Sequence, residues 1–343
     1  MIKVIKKIMI MLLLIITLTV PLNVTAKSNY NAKSYILMEA SSKRVLDGRN
    51  INERHLTASI CKIMTAIVVI ENCNIDSYVL VDQETVNQVG SAIYLDLGDF
   101  VCIRDLLYGL MLRSGNDCAY LLAKSCCGTV DEFVFLMNKY AKRIGMKNST
   151  FCNPSGLDEE SCNYSTAYDM ALLMAYAMNN SVFREITGTT KYCFTTANNK
   201  SYLFYNKHKL VTGYDYIIGG KTGYTVAAHR TLVSFATKNG MDLVCVTFDC
   251  SDDWNVHLKL FDYGFNNYKM TNIIDEQIIK TKSDYLYTPY LDSNVLLPLK
   301  KGEEVLIKIY LYNDINKNDI KLGDLVIYIN QKEEYRKDVI KYL

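Results

Sequence analysis

The chain has 343 residues, of which 50% are hydrophobic and 22% charged, with a formal net charge of +2. These proportions belong to a globular protein able to bury one large core or two smaller ones. No basic block occurs beyond the first residues, so the charge gives no ground for a nucleic-acid partner.

The first 26 residues have the three-part layout of a secretory signal peptide: Lys3, Lys6 and Lys7, an apolar stretch from Ile8 to Val20, and small residues at Val24-Thr25-Ala26. The stretch is short for a spanning helix, which needs about 20 apolar residues. No later segment is long and apolar enough to cross a bilayer. The expectation is cleavage, a mature protein beginning near Lys27, and a place outside the cytoplasmic membrane.

Cysteine usage is unusual for an exported chain. The 11 cysteines are odd in number and form no C-x-x-C, and the four histidines His55, His208, His229 and His257 are scattered. A metal site has little support from such spacing. Cys61, Cys102, Cys118 and Cys245 fall among apolar neighbours and read as reduced core residues. Cys152 and Cys162 are the pair to expect if a disulfide exists.

Residues 33–47 alternate apolar and polar, which predicts two short strands around the turn Ala40-Ser41-Ser42. A helix opened by Ser59 and running to about Asn72 follows. Helical spacing then dominates 100–180, punctuated by Gly145 and by Pro154-Ser155-Gly156. Strand patterns return in "YIIGGKTGYT", "RTLVSFATK" and "MDLVCVTFDC", joined by short turns, before a helix near 254–264. Strands, an inserted helical body and more strands predict an α+β domain over 27–265, an antiparallel sheet flanked by helices. Residues 271–343 read as a small all-β domain with no clustered nucleophile, base or ligand set, a spacer or docking module.

Three short patterns could carry chemistry. Ser59 and Lys62 lie one turn apart at the head of an apolar run. A serine there sits beside free backbone N–H groups and the positive end of a helix, and a buried lysine could take its proton. The same pair could be an N-capping serine with a snorkelling lysine. Ser114-Gly115-Asn116 falls at a break between helices, although Ser161 and Asn163 repeat its S-x-N spacing. Lys221-Thr222-Gly223 lies on a predicted strand between glycines, where a ligand could lie against the strand edge.

In this order, S-x-x-K, S-x-N and K-T-G resemble the serine penicillin-recognising enzymes. The stretches "TASICKIMT", "LMLRSGNDCA", "NPSGLD", "YSTAYDMALLMAYA" and "GGKTGYT" narrow the resemblance to the low-molecular-mass D-alanyl-D-alanine carboxypeptidases, over about residues 30–265. That resemblance implies a β-lactamase/transpeptidase-like fold without metal or cofactor. It implies Ser59 as nucleophile, Lys62 as general base, and Ser114 as proton relay to the leaving D-alanine. Asn116 would bond Lys62 and the substrate, Lys221 and Thr222 would hold the terminal carboxylate, and the backbone N–H groups of Ser59 and Tyr224 would form an oxyanion hole. The substrate would be a peptidoglycan stem peptide ending in D-Ala-D-Ala, with β-lactams as acylating inhibitors. Arg230, nine residues after Lys221, is expected to share the carboxylate.

The chain departs from the family at Asn163, where a histidine is frequent, and at "VAAHRTL", where a small Ala-Gly pair is usual. It also stops at "EEYRKDVIKYL", too short for an anchoring helix, which implies at most weak membrane association. Two alternatives stand beside the carboxypeptidase. A β-lactamase would draw on Glu159 or Glu160, and a penicillin-sensing receptor would bind without turnover.

Overall fold

The computed structural model describes residues 30–158, 163–274 and 295–300, together with the backbone of strands at 17–18, 304–313, 318–329 and 335–336. Glu159, Glu160, Ser161 and Cys162 lie outside the described residues, as does the expected leader apart from Thr17–Leu18. The chain divides into two compact units, Ala26–Asn266 and a second formed by Asn267–Leu343 with Met1–Thr25.

The larger unit is built on a five-stranded sheet. Its strands are β1 (Ala32–Glu39), β2 (Val45–Arg49), β3 (Ile217–Thr225), β4 (His229–Lys238) and β5 (Met241–Cys250). The spatial order is β3-β4-β5-β1-β2, antiparallel throughout. The hairpin joining β1 to β2 is tied by Glu39, whose carboxylate accepts the backbone N–H groups of Ser41 (3.0 Å) and Ser42 (2.8 Å). The strand carrying K-T-G is an edge strand, so one of its flanks is free of ladder partners.

Between the N-terminal hairpin and β3 comes the helical body: α1 (Lys62–Asn72), α2 (Asn116–Cys127), α3 (Val130–Ile144), α4 (Ala167–Ala177) and α5 (Ser181–Gly188). The run Ile63–Val69 is wholly buried and apolar except for Thr65, whose hydroxyl donates to the Pro154 carbonyl (2.7 Å), so α1 runs through the centre of this body rather than over its surface. Start signals behave as sequence chemistry dictates. Thr129 and Thr166 cap α3 and α4 by accepting the N–H of Glu132 (3.2 Å) and Asp169 (3.0 Å). The helix α6 (Asp253–Asn267) follows β5.

Three details differ from the sequence reading. The predicted helix start at Ser59 is a separate 3-10 turn, Ala58–Cys61, before α1 begins at Lys62. A hairpin of Lys191–Thr195 with Ser201–Tyr205, alternating buried and exposed residues, was not anticipated. Two of the scattered histidines meet: His208 and His257 contact the Ser234 hydroxyl at 3.0 and 2.8 Å. Burial holds both rings neutral, that of His208 down to a pKa of about 4.

Among the described residues nine cysteines are free thiols, with Cys61, Cys118, Cys245 and Cys250 buried and Cys102 half-buried. Cys152 is disulfide-bonded; Cys162, its expected partner, is outside the described residues.

In the second unit Tyr268–Ile274 pairs antiparallel with Val295–Lys300. Glu304–Asn313 pairs with Asn318–Ile329, flanked by two-residue strands at Thr17–Leu18 and Tyr335–Arg336.

Candidate active site

Ser59 is held by a turn that its own sequence would not adopt. Ala58, fully buried, has the left-handed φ of 47°, a conformation that costs a non-glycine residue about 1–2 kcal/mol. The surroundings impose it. Gly156, with φ of 81°, lies so close that any Cβ there would collide with the Ala58 carbonyl oxygen. From the other side comes β3: a Cβ on Gly223 would fall 3.0 Å from Ser59 N and collide with Thr231 Oγ1. The Thr231 hydroxyl in turn donates to the Thr57 carbonyl (3.0 Å).

Lys62 has no exposed surface. Its ammonium donates to Ser59 Oγ (3.1 Å), to Asn116 Oδ1 (2.8 Å) and to the Ser155 carbonyl. Each acceptor is neutral. Burial dominates its titration and lowers its pKa to about 8, with Cys61, Cys118 and Asp117 pulling the other way and Lys207 assisting.

The S-x-N element is shaped by a break. A short helix, Ile103–Tyr108, widens into a π turn at Gly109–Arg113, and Ser114 follows in the left-handed region at φ 67°. That kink aims the Ser114 hydroxyl at Lys221, which donates to it at 3.0 Å and to the Thr222 carbonyl at 2.8 Å. Asn116 begins α2, its amide fixed by donating to Val89 O (2.7 Å). Lys221 is 1% exposed; burial, then the charges of Lys62 and Lys207, push its pKa well below the ordinary lysine value.

Ser59, Lys62, Ser114, Asn116 and Lys221 therefore form two linked clusters across the cleft between helical body and sheet edge. Thr222 is half-buried and Tyr224 exposed on the same edge strand. The second S-x-N match is resolved by contacts. Asn163 donates to Asn153 Oδ1 (2.7 Å) and accepts from Cys152 N (3.0 Å), bracing the loop that carries Ser155.

Arg230 does not join the cluster. It stands opposite Tyr224 in the ladder, and Tyr224 is three positions from Lys221. Side chains alternate along a strand, so the two cations leave opposite faces of the sheet. The Arg230 guanidinium makes two hydrogen bonds to Asp253, at 3.1 and 2.7 Å, and the Asp253 side chain is 2% exposed. The expected partnership with Lys221 at a substrate carboxylate is replaced by this ion pair.

Three contributors escaped the sequence reading. The Ser155 carbonyl on Lys62 is a backbone group, which any residue supplies. Asp117 accepts the N–H groups of Ile93 (3.0 Å), Tyr94 (2.9 Å) and Cys118 (2.9 Å), pinning the 93–95 loop beside α2. Its place next to Asn116 was the only available hint. Lys207 adds positive potential at both buried lysines.

A serine and two lysines converging at the edge of a helix-flanked antiparallel sheet define a serine acyl-transfer site of the penicillin-recognising kind. The chain belongs to the D-alanyl-D-alanine carboxypeptidase family, whose match spans residues 22–252. It is 31% identical over 314 residues to the D-alanyl-D-alanine carboxypeptidase DacF of Bacillus subtilis, covering 88% of this chain and 78% of that one. With DacB2 of Mycobacterium tuberculosis it shares 34% over 241 residues, 68% of this chain and 82% of that one. A crystal structure of a D-alanyl-D-alanine carboxypeptidase from the same organism superposes with a TM-score of 0.65 at 34% identity, over 68% of this chain and 91% of that one. The fold extends further in DacD of Francisella tularensis, with a TM-score of 0.74 at 22% identity over 90% of this chain and 92% of that one.

Proposed function

We propose that this chain is a serine-type carboxypeptidase that removes the terminal D-alanine from peptidoglycan stem peptides through an ester on Ser59. The observation that carries the reading is the buried Lys62, 3.1 Å from Ser59 Oγ and contacted by neutral acceptors. In the neutral amine, two N–H groups serve Asn116 Oδ1 and the Ser155 carbonyl, leaving the lone pair for the Ser59 hydroxyl. Lys62 then takes the proton as Ser59 Oγ attacks the carbonyl of the penultimate D-alanine. The developing oxyanion faces the backbone N–H groups of Ser59 and Tyr224.

Two buried lysines close together cannot both hold a proton cheaply. A substrate carboxylate beside Lys221 and Thr222 favours the proton on Lys221, and that charge keeps Lys62 neutral. Substrate thereby prepares its own base. Lys207, exposed at the rim, adds to the pull on the carboxylate. Ser114, bonded to Lys221, passes a proton to the departing D-alanine amine, and water then releases the shortened peptide.

The leader-like N-terminus supports export, since stem peptides lie outside the cytoplasmic membrane. The second unit serves as a spacer or docking module. β-Lactams acylate Ser59 as mimics of the D-Ala-D-Ala end. The test is release of D-alanine from a stem pentapeptide, together with mass mapping of a penicilloyl adduct to the peptide containing Ser59. Rapid nitrocefin turnover without D-alanine release would overturn the reading in favour of a β-lactamase.

A further inference from the structure

The free flank of β3 is open only in part. Alternate residues of a strand point their backbone N–H and C=O to the same side. At Gly220 both groups turn away from β4 and meet Thr187, the next-to-last residue of α5. The Thr187 hydroxyl donates to the Gly220 carbonyl (2.9 Å) and accepts the Gly220 N–H (3.0 Å). A hydroxyl is donor and acceptor at once, so one side chain stands in for a residue of the missing neighbouring strand. Thr222 and Tyr224, two and four positions on, present their backbone groups on the same flank, where the substrate is proposed to lie.

Thr187 is itself held in place. It is 1% exposed, and the Asn206 amide donates to its carbonyl (3.2 Å) and to that of Thr189 (2.9 Å). Helix end and strand are fitted to each other by glycines. A Cβ on Gly219 would fall 2.6 Å from Thr187 Cγ2, and one on Gly188 would fall 2.6 Å from the Ile218 carbonyl oxygen. From the other face comes His208, whose Nε2 a Cβ on Gly220 would strike; that nitrogen contacts the Val233 carbonyl at 3.1 Å.

We infer that Thr187 is a positioning residue for Lys221: its hydroxyl fixes the peptide unit from which the lysine side chain departs. The Gly220 carbonyl and the Lys221 N–H belong to one planar unit, so holding that oxygen sets the plane at the Lys221 Cα. The chain alone defines this plane poorly. Gly219 and Gly220 have no side chains to restrict rotation, and the β3–β4 register shifts between Ile217 and Gly219.

The inference rests on the carboxylate-holding role proposed above for Lys221. That ammonium contacts Ser114 Oγ at 3.0 Å while lying where a substrate carboxylate would sit. An error at its Cα is carried to the end of a four-carbon side chain, and a misplacement of about 1 Å can cost about 10²-fold in rate. Tyr224 lies beyond the clamp, next to Gly223, which packs closely on Ser59 N and Thr231. Loosening Gly220 therefore strikes carboxylate recognition before it strikes the oxyanion hole.

The test compares the purified full chain with Thr187→Val, which keeps the shape and loses the hydroxyl, and Thr187→Ser, which keeps the hydroxyl. Acylation of Ser59 is followed by mass, below the melting temperature of each protein, with benzylpenicillin and with its methyl ester. Relative to wild type with the same compound, Thr187→Val should react about tenfold more slowly with the free acid and less than about threefold more slowly with the ester. Thr187→Ser should stay within about threefold of wild type on both. Thr187→Ala gives the same reading where valine is not accommodated. Equal losses on acid and ester, no loss on the acid, or a serine variant that behaves like valine would overturn the inference, since a purely structural threonine lowers stability without selecting between the two compounds. A wild type that is acylated but releases no D-alanine would remove the carboxypeptidase reading and leave the acid–ester comparison to decide this one. Absence of any adduct on Ser59 in the wild type would overturn both.

Discussion

The two faces of the sheet near its edge strand treat positive charge in opposite ways. Toward the helical body, Lys62 and Lys221 are buried and contacted only by hydroxyl, amide and carbonyl oxygens. Toward α6, Arg230 is 41% exposed and grips a buried carboxylate. Arg230 has a counter-ion; the lysines have none, and burial lowers the pKa of both. The carboxylate whose charge reaches Lys62, Asp117, is engaged by backbone N–H groups. The base role proposed for Lys62 rests on this: no carboxylate bonds it.

That contrast can be broken at several points. The largest effect belongs to the proposed nucleophile: Ser59→Ala should remove penicillin labelling and D-alanine release altogether, and a surviving adduct would reassign the reacting atom. Next comes Lys62→Arg, which keeps the charge but cannot act as a base at neutral pH. Acylation should fall by about 10²-fold or more, with the folded state retained by circular dichroism. Near-normal acylation would move the base elsewhere.

A subtler variant supplies the missing counter-ion. Asn116→Asp sets a carboxylate against Lys62 and should raise its pKa. In the wild type, acylation should climb with pH and level off above about 8, because the reaction needs the neutral amine and Lys62 titrates near there. In the variant the climb should begin at higher pH. Each tenfold rise in the proton affinity of Lys62 should cost about tenfold in acylation rate at neutral pH. An unmoved pH profile would show that some other group sets it.

The smallest effect on catalysis is expected at Arg230. Arg230→Ala should lower stability by about 1–3 kcal/mol, since buried Asp253 loses its partner while solvent already screens the arginine. The kcat/KM for D-alanine release should change by less than about threefold, within about 0.7 kcal/mol. A large loss confined to substrates with a free terminal carboxylate would return Arg230 to the cleft.

What could be read in advance follows from the kind of group involved. Ser59, Lys62, Ser114, Asn116, Lys221 and Thr222 announce themselves because the chemistry proposed for them needs particular side chains at local spacings. The Ser155 carbonyl and the left-handed Ala58 carry no such mark, since they are backbone states imposed by neighbours distant in sequence. Arg230 was misjudged by one geometric step. Its distance along the chain from Lys221 suggested proximity, but the face it leaves depends on the pairing of Thr225 with His229, which only the folded hairpin fixes. The sheet and helical body were legible from periodicity, whereas the Lys191–Tyr205 hairpin lay in a stretch whose polar turn masked its alternation.

The turn under Ser59 also sets when the enzyme can become reactive. Its shape depends on Gly156 and Gly223, which enter the chain about 100 and about 160 residues after the serine, judged from the residue numbers. During synthesis the serine is exposed long before its wedge, its relay or its second lysine exists. Reactivity therefore cannot precede the packing of β3 against that turn. A fragment ending before β3 should ignore penicillin, whatever secondary structure it retains.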